Sequence, residues 1–184
     1  MDNTYIALLR GINVGGKNKV VMTDLKKCLE DLGYTNIQTY IASGNVIFES
    51  ENDPLEIKIQ IEKVLPKKFN LDDELIKVLV LSRERFFEII KQKPDGFGEQ
   101  PDIYHSDAIF LMDKTSEQVM SVFDPREGVD RIWPGNGVIY SQRLSAQRTK
   151  SRLNKAIGTP EYKFMTIRSW NTVLKLMELL NQRM

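Results

Sequence analysis

The sequence predicts an α+β protein built from two tandem ferredoxin-like (βαββαβ) units, each followed by an extra helix. Short apolar runs alternate with helical periodicity in the order β-α-β-β-α-β. The same order recurs in the second half of the chain, and a repeated order is stronger evidence than any single element. Between the halves, Lys93-Pro94-Asp95-Gly96-Phe97-Gly98-Glu99-Gln100-Pro101 has the Pro and Gly content of a linker. The expected division is residues 1–92, a linker over 93–104, and residues 105–184.

In the first half, Thr4 to Arg10 carries Tyr5, Ile6, Leu8 and Leu9 and reads as a buried strand. Thr23 is the expected N-cap of a helix with Leu25, Cys28, Leu29 and Leu32 on one face, stopped by Gly33. Ile37 to Ile41 and Val46 to Phe48 flank Ser43-Gly44-Asn45 as a hairpin. Asp53-Pro54-Leu55-Glu56 joins an N-cap, a first-turn proline and a Glu three residues on, a helix start. Leu75 to Leu81 reads as a strand, and Ser82 caps a helix through Phe86, Phe87 and Ile90.

In the second half, Ala108 to Met112 is the first expected strand, and Thr115-x-x-Gln118 is a capping box. Asp130 to Trp133 and Val138 to Tyr140 form a hairpin around Pro134-Gly135-Asn136-Gly137. The spacing predicts a basic helix over 148–157. Phe164 to Ile167 is a strand, and Ser169 caps a last helix with Trp170, Val173, Leu174, Met177 and Leu180.

Composition narrows the function classes. Lys+Arg 26 against Asp+Glu 25 leaves a net charge of +1, so no global basic bias draws the chain to nucleic acid. A single cysteine excludes an internal disulfide and a Cys-rich zinc site, and a single histidine argues against a His-based metal cluster. No metal and no cofactor are expected. No apolar run approaches the roughly 20 residues that span a bilayer. Met1-Asp2-Asn3-Thr4 lacks the layout of a signal peptide. A cytoplasmic protein without membrane contact is expected.

The stretch most suggestive of function follows the first strand: Arg10-Gly11-Ile12-Asn13-Val14-Gly15-Gly16-Lys17-Asn18-Lys19. Glycine serves where the backbone takes φ > 0 or approaches a ligand. Gly11-x-x-x-x-Gly16-Lys17-Asn18 comes within one residue of the phosphate-loop pattern, but Asn18 supplies no hydroxyl for magnesium and the helix signals begin only at Thr23. A looser reading has the turn's N–H groups, with Arg10, Lys17 or Lys19, holding an anion. The bland alternative is that the glycines shape a long connection and the lysines are solvated. Asn45 is first a hairpin-turn residue and second an amide that orients a ligand. Arg168, Trp170, Asn171 and Thr172 stand at a strand-to-helix junction, where an arginine beside a helix N-terminus makes an anion pocket.

Other groups carry less. Arg143, Arg148, Lys150, Arg152 and Lys155 occur with no acidic residue among them, a patch suited to phosphates or to solvent. The strands lack the paired aromatics of an RNA-recognition sheet. His105, with Asp102 and Asp107 nearby, has no identifiable nucleophile. Cys28 reads as a small buried apolar residue, and Asp72-Asp73-Glu74 as a solvated turn.

Leu9-Arg10-Gly11-Ile12-Asn13-Val14-Gly15-Gly16, Ser43-Gly44-Asn45-Val46 and Thr166-Ile167-Arg168-Ser169-Trp170-Asn171-Thr172-Val173, in that order, resemble the bacterial family called domain of unknown function 1697. The resemblance implies two ferredoxin-like halves and carries no established activity. Where the family pattern has proline, glutamine and asparagine, this chain has Val21, Ala42 and Ser169, which counts against Ala42 and Ser169 as ligand contacts. The expected function is binding of a small phosphate- or carboxylate-bearing ligand near the glycine-rich loop, with Arg10, Asn13, Gly15, Gly16, Lys17, Asn45, Arg168 and Asn171 as its site. The alternative is a nucleic-acid or protein-interaction module using residues 143–155. The sequence assigns no catalytic residue and no oligomeric state.

Overall fold

A computed structural model describes residues 3–73 and 75–183. Met1, Asp2, Glu74 and Met184 lie outside the described residues, so the Asp72-Asp73-Glu74 turn is described only through its two aspartates. The chain forms two compact units, Met1–Phe86 and Phe87–Met184.

The first unit runs β1 (Thr4–Leu9), α1 (Met22–Glu30), β2 (Thr35–Tyr40), β3 (Asn45–Glu49), α2 (Pro54–Lys68), β4 (Val78–Ser82), with α3 (Arg83–Lys91) following. Its sheet is antiparallel in the order β2-β3-β1-β4. Ala7, Leu9, Val46, Phe48, Val78 and Val80 form one core with Leu25 and Leu29 of α1 and Ile57, Ile61 and Leu65 of α2. The four-residue spacing of those helical positions aims one stripe at the sheet. Asp53 caps α2 as expected, accepting from the N–H groups of Leu55 and Glu56. Ser82 caps α3 through the N–H of Arg85. Thr23 is not the cap of α1: the helix begins at Met22 after Val21, with no side-chain cap, and Thr23 lies inside the first turn.

The second unit runs β5 (Tyr104–Leu111), α4 (Ser116–Val119), β6 (Asp130–Gly135), β7 (Val138–Leu144), β8 (Met165–Ser169), α5 (Trp170–Asn181). Its sheet order is β6-β7-β5-β8, again antiparallel. The capping box at Thr115 and Gln118 forms, opening a helix of only 4 residues. Between β7 and β8 the expected basic helix is absent. Residues 145–164 instead make three short 3-10 turns, Ser145–Lys150, Leu153–Gly158 and Pro160–Phe164. The regular pattern breaks because the N–H of Arg152 is drawn to Asp130 Oδ2 and Gln147 leaves helical geometry.

Residues 93–104, expected as a linker, contribute to the core of the second unit. Phe97 is fully buried, with its ring edge-on to Trp133, Tyr140 and Trp170 at 5.9, 5.1 and 4.9 Å. The Tyr140 hydroxyl donates to the Ile89 carbonyl at 2.6 Å. Trp170, Val173, Leu176, Leu179 and Leu180 bury one face of α5, which packs on β5 and β8. Ile109, Leu111, Ile139 and Met165 point to the opposite face, with Val119, Phe123, Leu153 and Ala156.

Two measurements test this packing. A Cβ on Gly44 (φ +83) would lie 2.8 Å from Leu9 Cβ and 2.9 Å from Ile12 Cδ1, whereas one on Gly96 (φ +78) meets nothing within 4 Å. Gly44→Ala therefore costs at least about 2 kcal/mol more than Gly96→Ala in urea unfolding, overpacking adding to a backbone penalty both share. Tyr34 stacks on Phe48 and donates to Gln60 Oε1 at 2.6 Å. Burial, and secondarily the charge of Glu56, push its phenol up to about 12. The folded phenol keeps its proton where the unfolded one, with a pKa of about 10, loses it. Stability therefore falls as pH rises from about 10 through about 12, and Tyr34→Phe flattens that fall in base-induced unfolding.

Candidate functional site

The glycine-rich loop folds as a small ribbon. Asn13 N–H donates to the Asn18 carbonyl at 3.0 Å, and Lys17 N–H to the Val14 carbonyl at 3.0 Å. Gly15 (φ +60) and Gly16 (φ +78) fill the two central positions of the turn between Val14 and Lys17. Two consecutive positive φ values define a type I′ hairpin turn, which glycine adopts without strain. Helix α1 begins at Met22, five residues past Lys17, so no helix N-terminus meets the turn.

Asparagines hold this ribbon in place. Asn13 donates through Nδ2 to the carbonyls of Val20 and Ala42, both at 2.8 Å, and accepts from Val20 N–H. Asn18 is 2% exposed; its Oδ1 accepts from the N–H groups of Asp72 and Asp73, and its Nδ2 donates to the Gly11 carbonyl and Asp73 Oδ2. Asn45, fully buried, donates to the Tyr40 carbonyl and Ser43 Oγ. Of the expected first-unit site, Lys17 is exposed on the ribbon, and Arg10 is half-buried at its root with its N–H on the Lys77 carbonyl. Asn13, Gly15, Gly16 and Lys17 thus share one structural element, with Asn45 beneath the neighbouring turn.

The second-unit residues stand at the β8–α5 junction. Ser169 caps α5, accepting from Thr172 N–H at 3.3 Å, its hydroxyl paired with that of Thr172 at 2.9 Å. A cleft of about 80 Å³ opens here, lined by Ser106, Ser145, Ser169, Asn171, Tyr104 and His105, with Gly98, Pro101 and Trp170. Behind it, buried Gln142 donates through Nε2 to Ser106 Oγ at 3.1 Å, which leaves the Ser106 O–H free to donate. The cleft therefore presents hydroxyl and amide donors together with the positive end of a 12-residue helix. Asn171 lines it, and Arg168 does not. The Arg168 guanidinium donates to Thr166 Oγ1 at 3.0 Å and the Ile167 carbonyl at 2.9 Å. Burial lowers its pKa to about 10, so it is charged at neutral pH. Ser106 escaped the sequence reading because β5 begins four residues earlier than the apolar run suggests, and Ser145 because it opens a 3-10 turn where a basic helix was expected.

Other expected features resolve plainly. Arg152 and Lys155 pair with Asp124 at 3.3 and 2.6 Å, and Arg143 with Asp107 at 3.4 Å, so three of the five cations share two carboxylates. His105 Nε2 lies 2.9 Å from Asp107 Oδ1, and among the described residues no hydroxyl or thiol is hydrogen-bonded to the ring. Burial pushes the Cys28 thiol up, away from reactivity. No helix among the described residues is long and apolar enough to cross a membrane.

The family model described as "Protein of unknown function (DUF1697)" matches residues 2–140. The chain belongs to the DUF1697 family. This DUF1697 chain is also similar to a solved structure, that of the conserved bacterial protein SP0830 from Streptococcus pneumoniae. That similarity has 26% identity and a TM-score of 0.79, over 96% of this chain and 98% of that one. No curated protein matches the sequence. The family match ends before Thr166–Val173, and the structural similarity extends over nearly the whole chain, both sheets included.

Asn18→Ala tests the fixing of the ribbon. It leaves the N–H groups of Asp72 and Asp73 without their acceptor and lowers the unfolding free energy by about 2 kcal/mol. Trypsin then cuts native protein faster at Lys17.

Proposed function

We propose that this DUF1697 protein binds a small anionic ligand bearing a phosphate or carboxylate, with the cleft at the N-terminus of α5 as its principal contact. One observation carries the reading: Ser106, Ser145 and Asn171 line one cleft at the end of α5 where its dipole is positive. Arg168 contributes fixed positive charge from the α5 side of β8 without lining the cleft. Taken by itself, the ribbon of the first unit is proposed as a separate anion contact, with Lys17 and Arg10 as its cations and Asn13, Gly15, Gly16 and Asn45 shaping the ribbon and turn that carry them. The proposal extends to the fold and the compartment. Both units are read as ferredoxin-like, supported by the β-α-β-β-α-β order of the first and the matching strand orders of the two sheets. The compartment proposed is the cytoplasm.

The test uses a substitution that separates binding from folding. Asn171→Asp places a carboxylate in the first turn of α5, where it favours the helix by about 0.3–1 kcal/mol and repels an anion. Titration with inorganic phosphate and with simple carboxylates is expected to raise the Tm of the wild type but not of Asn171→Asp, whose own Tm is unchanged or higher. Equal ligand shifts in both proteins, or no shift with any anion alongside salt-sensitive binding to RNA or DNA, overturn the proposal.

A further inference from the structure

The two sheets share a strand order and an anchoring hydrogen bond, and one cross-strand pair counted from that anchor differs in character between them. Leu9 N–H bonds the Gly44 carbonyl in the first sheet, and Leu111 N–H bonds the Gly137 carbonyl in the second. From that anchor, Ala7 and Val46 correspond to Ile109 and Ile139, and the cross-strand pair Tyr5 and Phe48 corresponds to Asp107 and Ser141. In the first unit those two rings lie 6.1 Å apart, and Phe48 is fully buried beneath a core that α2 completes. In the second unit both aromatics are replaced by small polar residues. The covering helix is replaced by 3-10 turns as well. Val80, opposite Ala7, is 8% exposed; its counterpart Ile167, opposite Ile109, is 38% exposed.

What remains is a cavity of about 50 Å³ between the sheet and the 3-10 turns. Its body is apolar, with Ile109, Ile167, Leu153 and Ile157 among its walls. One end is polar. Ser141 is 3% exposed, yet its hydroxyl has no hydrogen-bond partner among the described residues. Beside it, the Arg143 side chain is about four-fifths buried, and its only side-chain partner among the described residues is Asp107, at 3.4 Å from Nη1. A guanidinium carries five N–H donors, so four are unused. Asp107 also contacts His105, which holds the carboxylate in place and with it the orientation of Arg143.

We infer that this cavity is a binding site for a small aliphatic carboxylate, the acid head accepting from the Arg143 guanidinium and the Ser141 hydroxyl and the alkyl group entering among the isoleucines. Charge and shape agree. The donors in excess are cationic and neutral, the one lining carboxylate is already engaged twice, and burial strengthens a charge-assisted pair. The volume suits a chain of a few carbons. This site lies on the sheet face opposite Tyr140 and Trp170 and is independent of the anion cleft proposed above.

The experiment titrates the full chain, with labelled isoleucine methyl groups, with butanoate, 3-methylbutanoate and hexanoate. Saturable shifts at Ile109, Ile157 and Ile167 are expected. Arg143→Gln weakens binding about tenfold or more, the loss of one charged hydrogen-bond partner. Ser141→Phe, which restores the aromatic of the first unit, abolishes binding, and Asn171→Asp leaves it intact. The inference is overturned by unsaturable or absent methyl shifts, by an Arg143→Gln affinity equal to wild type, or by tighter binding of butylamine than of butanoate. Should Ser141→Phe fail to fold, Arg143→Gln alone decides.

Discussion

The second unit depends on a single close approach: the backbone at Gly98 lies against the indole of Trp170. A Cβ there would stand 2.4 Å from the indole Cδ1 and Nε1, so no other residue fits without moving the ring. The φ of +76 at Gly98 enforces the same choice. That approach seats Phe97 among Trp133, Tyr140 and Trp170, where edge-on rings contribute about 0.5–1.5 kcal/mol each beyond their buried area. Trp170 is the first residue of α5. Its seating therefore fixes where the helix begins, which hydroxyls face its N-terminus, and the width of the cleft between them.

In the first unit the corresponding work falls to amides. Asn13 and Asn45 look from the sequence like donors awaiting a ligand, and both, like Asn18, instead tie loop segments together. A carboxamide has two N–H donors and one carbonyl, and Asn13 uses all three on backbone groups. Such a residue cannot turn to a ligand without releasing the N–H and carbonyl of Val20 and the carbonyl of Ala42. The same network explains the clustering of positive φ values at Gly11, Asn13, Gly15, Gly16 and Asn18: the chain must double back within eight residues. Exposed Lys17 and Lys19 are carried on this rigid ribbon.

Features decided by local chemistry were legible in the sequence. Asp53, Ser82, Thr115 and Ser169 cap helices because a side-chain oxygen meets an N–H two or three residues away, whatever surrounds it. The hairpins at Ser43–Asn45 and Pro134–Gly137 followed for the same reason. Features decided by tertiary contact were not. Residues 148–157 have helical spacing of their basic side chains, but Asp130, distant in sequence, captures the N–H groups of Arg126 and Arg152 and sets another path. Residues 93–104 have linker composition because tight packing and free flexibility both recruit glycine and proline. The signal separating them was a single aromatic, Phe97, between two glycines. The candidate site divided in the same way. Asn171 follows from its cap, while Ser106 and Ser145 become visible only when the sheet register is known.

The alternation of side chains across β5 and β8 explains how one sheet supports two unlike faces. Ala108, Ser106 and Arg168 look toward the α5 side, while Asp107, Ile109 and Ile167 look the other way. The hydrogen-bond ladder depends on neither set, so aromatic residues on one face can give way to Asp107 and Ser141 without shifting the register that aims Ser106 at the cleft. His105 has a part on each side, lining the cleft while its ring meets Asp107. A rigid antiparallel sheet offers no second arrangement through which occupancy of one face could bias the other. With 3-10 turns rather than a long helix on one face, the second sheet still carries α5 and its N-terminus on the other.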